Sequence, residues 1–135
     1  MSRLLTILLL IATVSAAGQN TGIERPIQTV ERIFNNYIKS SGDIDSLDNE
    51  RAMARALSSL RQESSEKDLP LLINVWMYYD PTNFSVRELI EPIFNKDKPS
   101  SLAAINRRLK KKTKGENNKT APYTDLISLR EKMSK

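Results

Sequence analysis

Few side chains in this chain of 135 residues are suited to catalysis. It has no histidine and no cysteine, which removes the usual general base near neutral pH, the thiol nucleophile and the commonest zinc ligands. Acid–base chemistry would therefore depend on carboxylates, and Glu88 and Glu91 are a pair that could be considered. Glycoside hydrolysis needs two carboxylates that flank a cleft, whereas these two lie three residues apart on one predicted helix. The sequence therefore predicts no catalytic residue, no metal site and no cofactor.

Positive charge is concentrated towards the C-terminus. Residues 18–95 contain eight basic and twelve acidic side chains, whereas residues 96–135 contain twelve basic and four acidic ones. The densest segment, which we name the basic run, is residues 107–119, with seven cations and one acid, Glu116. We interpret it as a binding surface for an acidic protein, an anionic lipid or a polyanionic glycan. The alternative is a solvated segment that only keeps the protein soluble. The candidate binding residues are Arg107, Arg108, Lys110, Lys111, Lys112 and Lys114.

A second candidate contact is aromatic. Trp76, Tyr78 and Tyr79 lie close together before a predicted turn. Helical spacing places Trp76 on the same face as Leu69 and Leu72, so we expect it in the core. Tyr78 and Tyr79 are the candidates for an aromatic contact beside the turn. The basic run itself has no aromatic residue to stack on bases, so we do not expect nucleic acid as a partner.

Apolar residues spaced by three and four predict the helices that position these side chains. The helices predicted in this way cover residues 23–37, 48–62, 69–78, 86–94 and 102–109, and a shorter one covers 126–133. The third segment is apolar on two sides, which predicts a helix enclosed by its neighbours. No segment alternates apolar and polar residues as a half-buried strand does. The sequence therefore predicts a small all-α domain of five to six helices.

The N-terminal segment has the layout of a cleavable secretory signal peptide. Arg3 precedes an apolar run from Leu4 to Val14, and small residues follow up to Ala17. The apolar run is too short for a stable transmembrane helix; the alternative is a retained N-terminal anchor. We expect an exported chain, periplasmic or secreted, whose mature part has no integral membrane span. The predicted layout is a signal peptide at 1–17, a helical domain at 18–109, a basic polar loop at 110–122 and a short C-terminal helix at 123–135.

Residues 69–94 resemble a HEAT repeat, which is a hairpin of two antiparallel helices. The matching residues are Leu69, Pro70, Leu72, Asp80, Pro81, Val86 and Arg87. The resemblance implies HEAT-like antiparallel helix pairs, with Asp80 and Arg87 as structural residues that tie the turn together. It also implies binding of a protein partner on a helical surface, without catalysis.

The sequence thus favours one functional hypothesis over two others. The favoured one is an exported, non-catalytic interaction protein that binds a protein partner through a helical surface with a basic C-terminal face. The alternative is an envelope-associating protein that docks on anionic lipid or glycan. A carboxylate-based hydrolase is the least favoured, because it would need acids on facing elements of a cleft.

Overall fold

The protein is all-helical throughout the part of the chain that the computed structural model describes, residues 23–40, 47–79 and 84–135. This confirms the predicted fold class. These ranges contain six α-helices, and a short 3₁₀ turn, Glu66–Asp68, precedes the third of them. The helices are α1 (Pro26–Lys39), α2 (Leu47–Glu63), α3 (Leu69–Tyr78), α4 (Phe84–Lys96), α5 (Lys98–Lys110) and α6 (Ala121–Met133).

The proposed signal peptide at residues 1–17 and the turn residue Asp80 lie outside the described residues. Within the described ranges, every helix is too short or too polar to cross a bilayer.

Helix α3 lies at the centre of the core. Six of its ten residues are buried, and they lie on more than one side of the helix: Leu69, Leu72, Ile73, Val75, Trp76 and Met77. It packs against α4, α5 and α6. At its start, the Asp68 carboxylate accepts a hydrogen bond from the Ser65 backbone N–H at 3.0 Å, as the capping pattern Ser65-Glu-Lys-Asp68 predicts. The prediction of an enclosed third helix is confirmed.

Helices α1 and α2 pack on each other, and α2 also contacts α4. Val30 and Phe34 are buried on α1, as their spacing predicts. Ile23, which we placed first in that stripe, is 81% exposed. Our expectation for Ile23 is wrong because α1 begins only at Pro26, so Ile23 precedes the helix and does not share its buried face.

The C-terminal helix belongs to the same core as α3. It starts at Ala121, two residues earlier than the sequence indicates, and packs on α5 and α3. Its buried residues are Tyr123, Leu126, Leu129 and Met133. The connection between α5 and α6 is therefore residues 111–120, and both of its ends are fixed by core helices.

Candidate functional site

The seven cations of the basic run divide into two groups. Arg108 turns inward, with 12% of its side chain exposed, and pairs with Glu116. The other six are exposed: Arg107, Lys110, Lys111, Lys112, Lys114 and Lys119. Glu116 is the only carboxylate of residues 107–119 and its side chain is only 2% exposed. The solvent-facing charge of the basic run is therefore entirely positive.

Glu116 fastens the basic run to the core. Arg108 donates to both of its carboxylate oxygens, from Nη1 to Oε1 at 3.0 Å and from Nη2 to Oε2 at 2.6 Å. The Thr113 backbone N–H donates to Oε1 at 2.9 Å, and the Tyr78 hydroxyl donates to Oε2. Arg108 Nε in turn donates to Asn74 Oδ1 at 3.0 Å. A bidentate arginine–carboxylate pair is a strong and directional contact, so this cluster ties the loop to α3 and α5.

The same contacts set the charge state of the cluster. The hydrogen bonds from Arg108, and then those from Tyr78 and Thr113, lower the pKa of Glu116 from 4.5 to about 2, although burial acts in the opposite direction. Burial raises the pKa of Tyr78, and its hydrogen bond to Glu116 raises it further. The hydrogen bond to Glu116 raises the pKa of Arg108. Glu116 is therefore ionised across the physiological range, which suits a structural ion pair and not proton transfer.

A second set of contacts stabilises the connection between α5 and α6. The Tyr123 hydroxyl donates to the Leu109 carbonyl at 2.6 Å, which satisfies one of the last carbonyl groups of α5. Lys112 Nζ lies 5.4 Å from the centre of the Tyr123 ring, within the range of a cation–π contact. Thr120 Oγ1 donates to the Gly115 carbonyl at 3.2 Å. Gly115 has a φ of 89°, a backbone conformation that favours glycine.

Some cations of the basic run lie in the last turn of α5, and others lie beyond its end. Arg107, Arg108 and Lys110 lie in the last turn of α5, where positive charge stabilises the negative end of the helix dipole. Lys112, Lys114 and Lys119 lie beyond the helix, so this effect does not account for them. The helix dipole therefore does not explain why the loop carries exposed positive charge.

The aromatic candidates do not form an exposed platform. Tyr79 is 4% exposed, and its ring centre lies 4.7 Å from that of Tyr37 on α1. Contrary to our expectation, Tyr79 offers no exposed ring for a contact. It directly follows α3 and is enclosed by the same core. Tyr78 is half-buried and its hydroxyl is engaged by Glu116. Both tyrosines are placed to hold the structure together.

Arg87 links three helices. It is buried, its Nε donates to the Trp76 carbonyl at 2.9 Å, and its Nη1 donates to Asp125 Oδ2 at 3.0 Å. Its guanidinium lies 4.0 Å from the centre of the Trp76 ring, in cation–π contact. These contacts join α4 to α3 and α6. They give Arg87 structural contacts, whereas Asp80, the turn partner implied by the HEAT resemblance, lies outside the described residues.

A groove of about 470 Å³ is lined by residues of α4 and α6, both of which pack on α3. Glu88 and Glu91 line it from α4, and Asp125 lines it from α6. Carboxylates thus lie on facing elements, which is the arrangement that we named as a requirement for a hydrolase. Sequence reasoning missed it because it paired Glu88 with Glu91 on one helix and did not consider Asp125.

Two of the three groove carboxylates, Asp125 and Glu91, have hydrogen-bond and ion-pair partners. Asp125 accepts from Arg87, and Glu91 accepts from Trp76 Nε1 at 3.1 Å and from Lys132 Nζ at 3.4 Å. Trp76 is 4% exposed, so its ring is not available as a stacking surface. The groove is thus crossed by ion pairs and hydrogen bonds that hold α4 and α6 against α3.

Across the described ranges, no cluster of three or more acidic residues that could hold a metal ion is found. Comparisons with models of protein families, with curated proteins and with solved structures found no significant match to the chain.

Proposed function

We propose that the protein is an exported, non-catalytic interaction protein that binds a negatively charged partner through the basic run. One observation carries the proposal: six exposed cations lie on a segment that is fastened to the core, and the only carboxylate of that segment is withdrawn from solvent. The layout of residues 1–17 supports export. The likeness of residues 69–94 to a HEAT repeat supports partner binding on a helical surface.

The contacts that hold the basic run against the core favour a binding surface over a segment that only keeps the protein soluble. A segment that only solubilises the protein needs exposed charge but no fixed backbone. Here the buried Glu116 holds residues 107–119 against α3 and α5 through Arg108 and Tyr78. A segment whose backbone is already fixed loses less conformational entropy when it binds a partner. The exposed cations are therefore arranged before any partner arrives.

Two kinds of partner fit this surface. An acidic protein is the partner that the HEAT resemblance implies. An anionic lipid or glycan is the alternative, and the six exposed cations of residues 107–119 support it, because they offer positive charge without a neighbouring exposed carboxylate.

The proposal predicts that neutralising three lysines weakens binding to anionic probes. The variant carries Lys110→Gln, Lys111→Gln and Lys112→Gln. We expect its affinity for at least one of three probes to fall by about tenfold or more at low salt, because each cation near an anionic surface contributes about 1 kcal/mol. The probes are heparin, phosphatidylglycerol vesicles and polyglutamate. Titration at increasing salt concentration measures the effect, which screening should diminish.

The matched control removes the same net charge elsewhere. Arg51, Arg55 and Arg61 lie on α2, which packs on α1 and α4, and all three are exposed. Their replacement with glutamine should leave binding close to that of the wild type. Equal binding by the two triple variants would show that net charge, and not the basic run, attracts the partner, and the proposal would then be wrong.

The groove between α4 and α6 makes a carboxylate-based hydrolase the second candidate, because Glu91 and Asp125 lie on facing helices. It ranks second because both carboxylates are already occupied by Arg87, Lys132 or Trp76. We expect the wild type to cleave nitrophenyl glycosides no faster than a variant with Glu91→Gln and Asp125→Asn. Turnover that both substitutions abolish would replace the non-catalytic proposal with this one.

A further inference from the structure

We infer that the partner of the basic run is a linear anionic polysaccharide that lies along a track of cations on α5, α6 and the loop between them. The inference rests on the proposed function, since it names the partner of the same surface. It also adds a binding residue, Arg130, that lies outside the basic run.

The track follows from the packing of two antiparallel helices. Tyr123 bonds to the Leu109 carbonyl, and further along α6, Arg130 Nη1 donates to Asn106 Oδ1 at 3.4 Å. Residues further along α6 therefore meet residues earlier on α5. Arg130 consequently lies beside Asn106, about one turn before the end of α5.

The cations of α5 continue from that point. Asn106 and Lys110 are four residues apart and so share one side of α5, and Arg107 lies on the adjacent line. Lys111, which directly follows the helix, and Lys114, in the loop, are exposed as well. At 1.5 Å per residue, the part of α5 from Asn106 to Lys110 is about 6 Å long, and we take Arg130 on α6 and the loop lysines to extend it into an elongated surface. An elongated surface fits a polymer that carries charge along its length.

The remaining exposed residues favour a polysaccharide over a membrane or a protein. Besides the six cations, the exposed residues between 107 and 119 are Thr113, Gly115, Asn117 and Asn118. Peripheral membrane binding gains much of its strength from inserted apolar side chains, and protein interfaces are centred on aromatic or apolar anchors and are depleted in lysine. This surface offers charge and hydrogen-bonding groups only, which match sulfate or carboxylate groups and sugar hydroxyls.

The fixed backbone favours the same partner. Anionic lipids diffuse within a bilayer and can gather around a mobile basic segment, so they do not require a fixed one. A polysaccharide holds its charges at set intervals along the chain. The Glu116 cluster fixes the positions from which Lys112 and Lys114 extend, and such preorganisation increases affinity for a partner whose own charges are fixed.

The test measures how affinity depends on the length of the polymer. Size-fractionated heparin oligosaccharides serve as sulfated probes and polygalacturonate fragments as carboxylated ones, each titrated into the wild type by calorimetry. We expect affinity to rise with length until the oligosaccharide spans the track, and then to level off. Arg130→Gln should leave the affinity for the shortest fragment unchanged and lower that for the longest by about fivefold, as expected for one lost contact near an anionic partner. The slope of log affinity against log salt should fall by roughly one for each cation removed.

The outcomes separate this inference from the proposed function. If phosphatidylglycerol vesicles or polyglutamate bind more tightly than every oligosaccharide, and the Lys110–Lys112 substitutions still weaken that binding, the polysaccharide inference is wrong and the proposed function stands. An Arg130→Gln variant that matches the wild type at every length would overturn the track. If no probe distinguishes the Lys110–Lys112 variant from the control on α2, both proposals fail. Unchanged circular dichroism and melting temperature show that each variant is folded.

Discussion

Replacing Glu116 with glutamine is expected to lower the free energy of unfolding by about 3 kcal/mol at pH 7, because removal of one partner of a buried ion pair leaves the other uncompensated. Arg108 would keep its hydrogen bond to Asn74 but lose its counter-charge while only 12% exposed. Urea unfolding followed by the fluorescence of the single tryptophan, Trp76, measures the change. The exposed Glu131→Gln is the control, and its effect should stay within about 0.5 kcal/mol.

The pH dependence of stability provides an independent check of the same ion pair. The pKa of Glu116 is about 2 in the folded protein against an ordinary value of 4.5, so the folded state favours the ionised form. The stabilisation is fully present above about pH 5 and is lost as the pH falls towards 2, by about 3 kcal/mol in all. The Glu116→Gln variant should lack this component. Parallel stability–pH curves for the wild type and the variant would show that the pair does not stabilise the fold.

Replacing Leu72 with alanine is expected to lower the free energy of unfolding by about 3–5 kcal/mol, the usual range for removing a leucine side chain from a packed core. Leu72 is 0% exposed and lies on α3, the helix around which α4, α5 and α6 pack. The surrounding helices cannot close on the cavity without disturbing their other contacts. Chemical unfolding of the folded variant measures the loss.

The matched control for this substitution is Leu47→Ala. Leu47 lies at the start of α2 and is 57% exposed, so the same change of side chain should alter the free energy of unfolding by less than about 0.5 kcal/mol. Similar losses at the two positions would mean that α3 is not the centre of the core.

The helices could be predicted from the sequence because the buried faces repeat at helical spacing. Leu72 and Trp76 are four residues apart and both are buried on α3, and Val30 and Phe34 repeat the pattern on α1. Ile23 fits the same spacing and yet is exposed, because periodicity does not show where a helix begins. Hydrophobic periodicity therefore predicts that a segment is helical more reliably than it predicts where the helix begins or ends.

The site could be predicted only in part. The exposed lysines of the basic run follow from composition alone, whereas the burial of Glu116 does not. One of its partners, Tyr78, is 38 residues away in the sequence, and such a contact has no local signal. The only hint is that Glu116 is the single acid among seven cations. The pairing of Arg87 with Asp125, also 38 residues apart, was missed for the same reason.

The contribution of α6 to the core has a consequence for how the protein is made. Tyr123, Leu126 and Leu129 pack with the interior residues, so a nascent chain cannot complete its interior until these residues leave the ribosome. Helices α1 and α2 are neighbours in sequence and can pair early, but α3 must wait with its apolar surface exposed. A delay of this kind favours capture of the unfinished chain by chaperones, which bind exposed apolar surface.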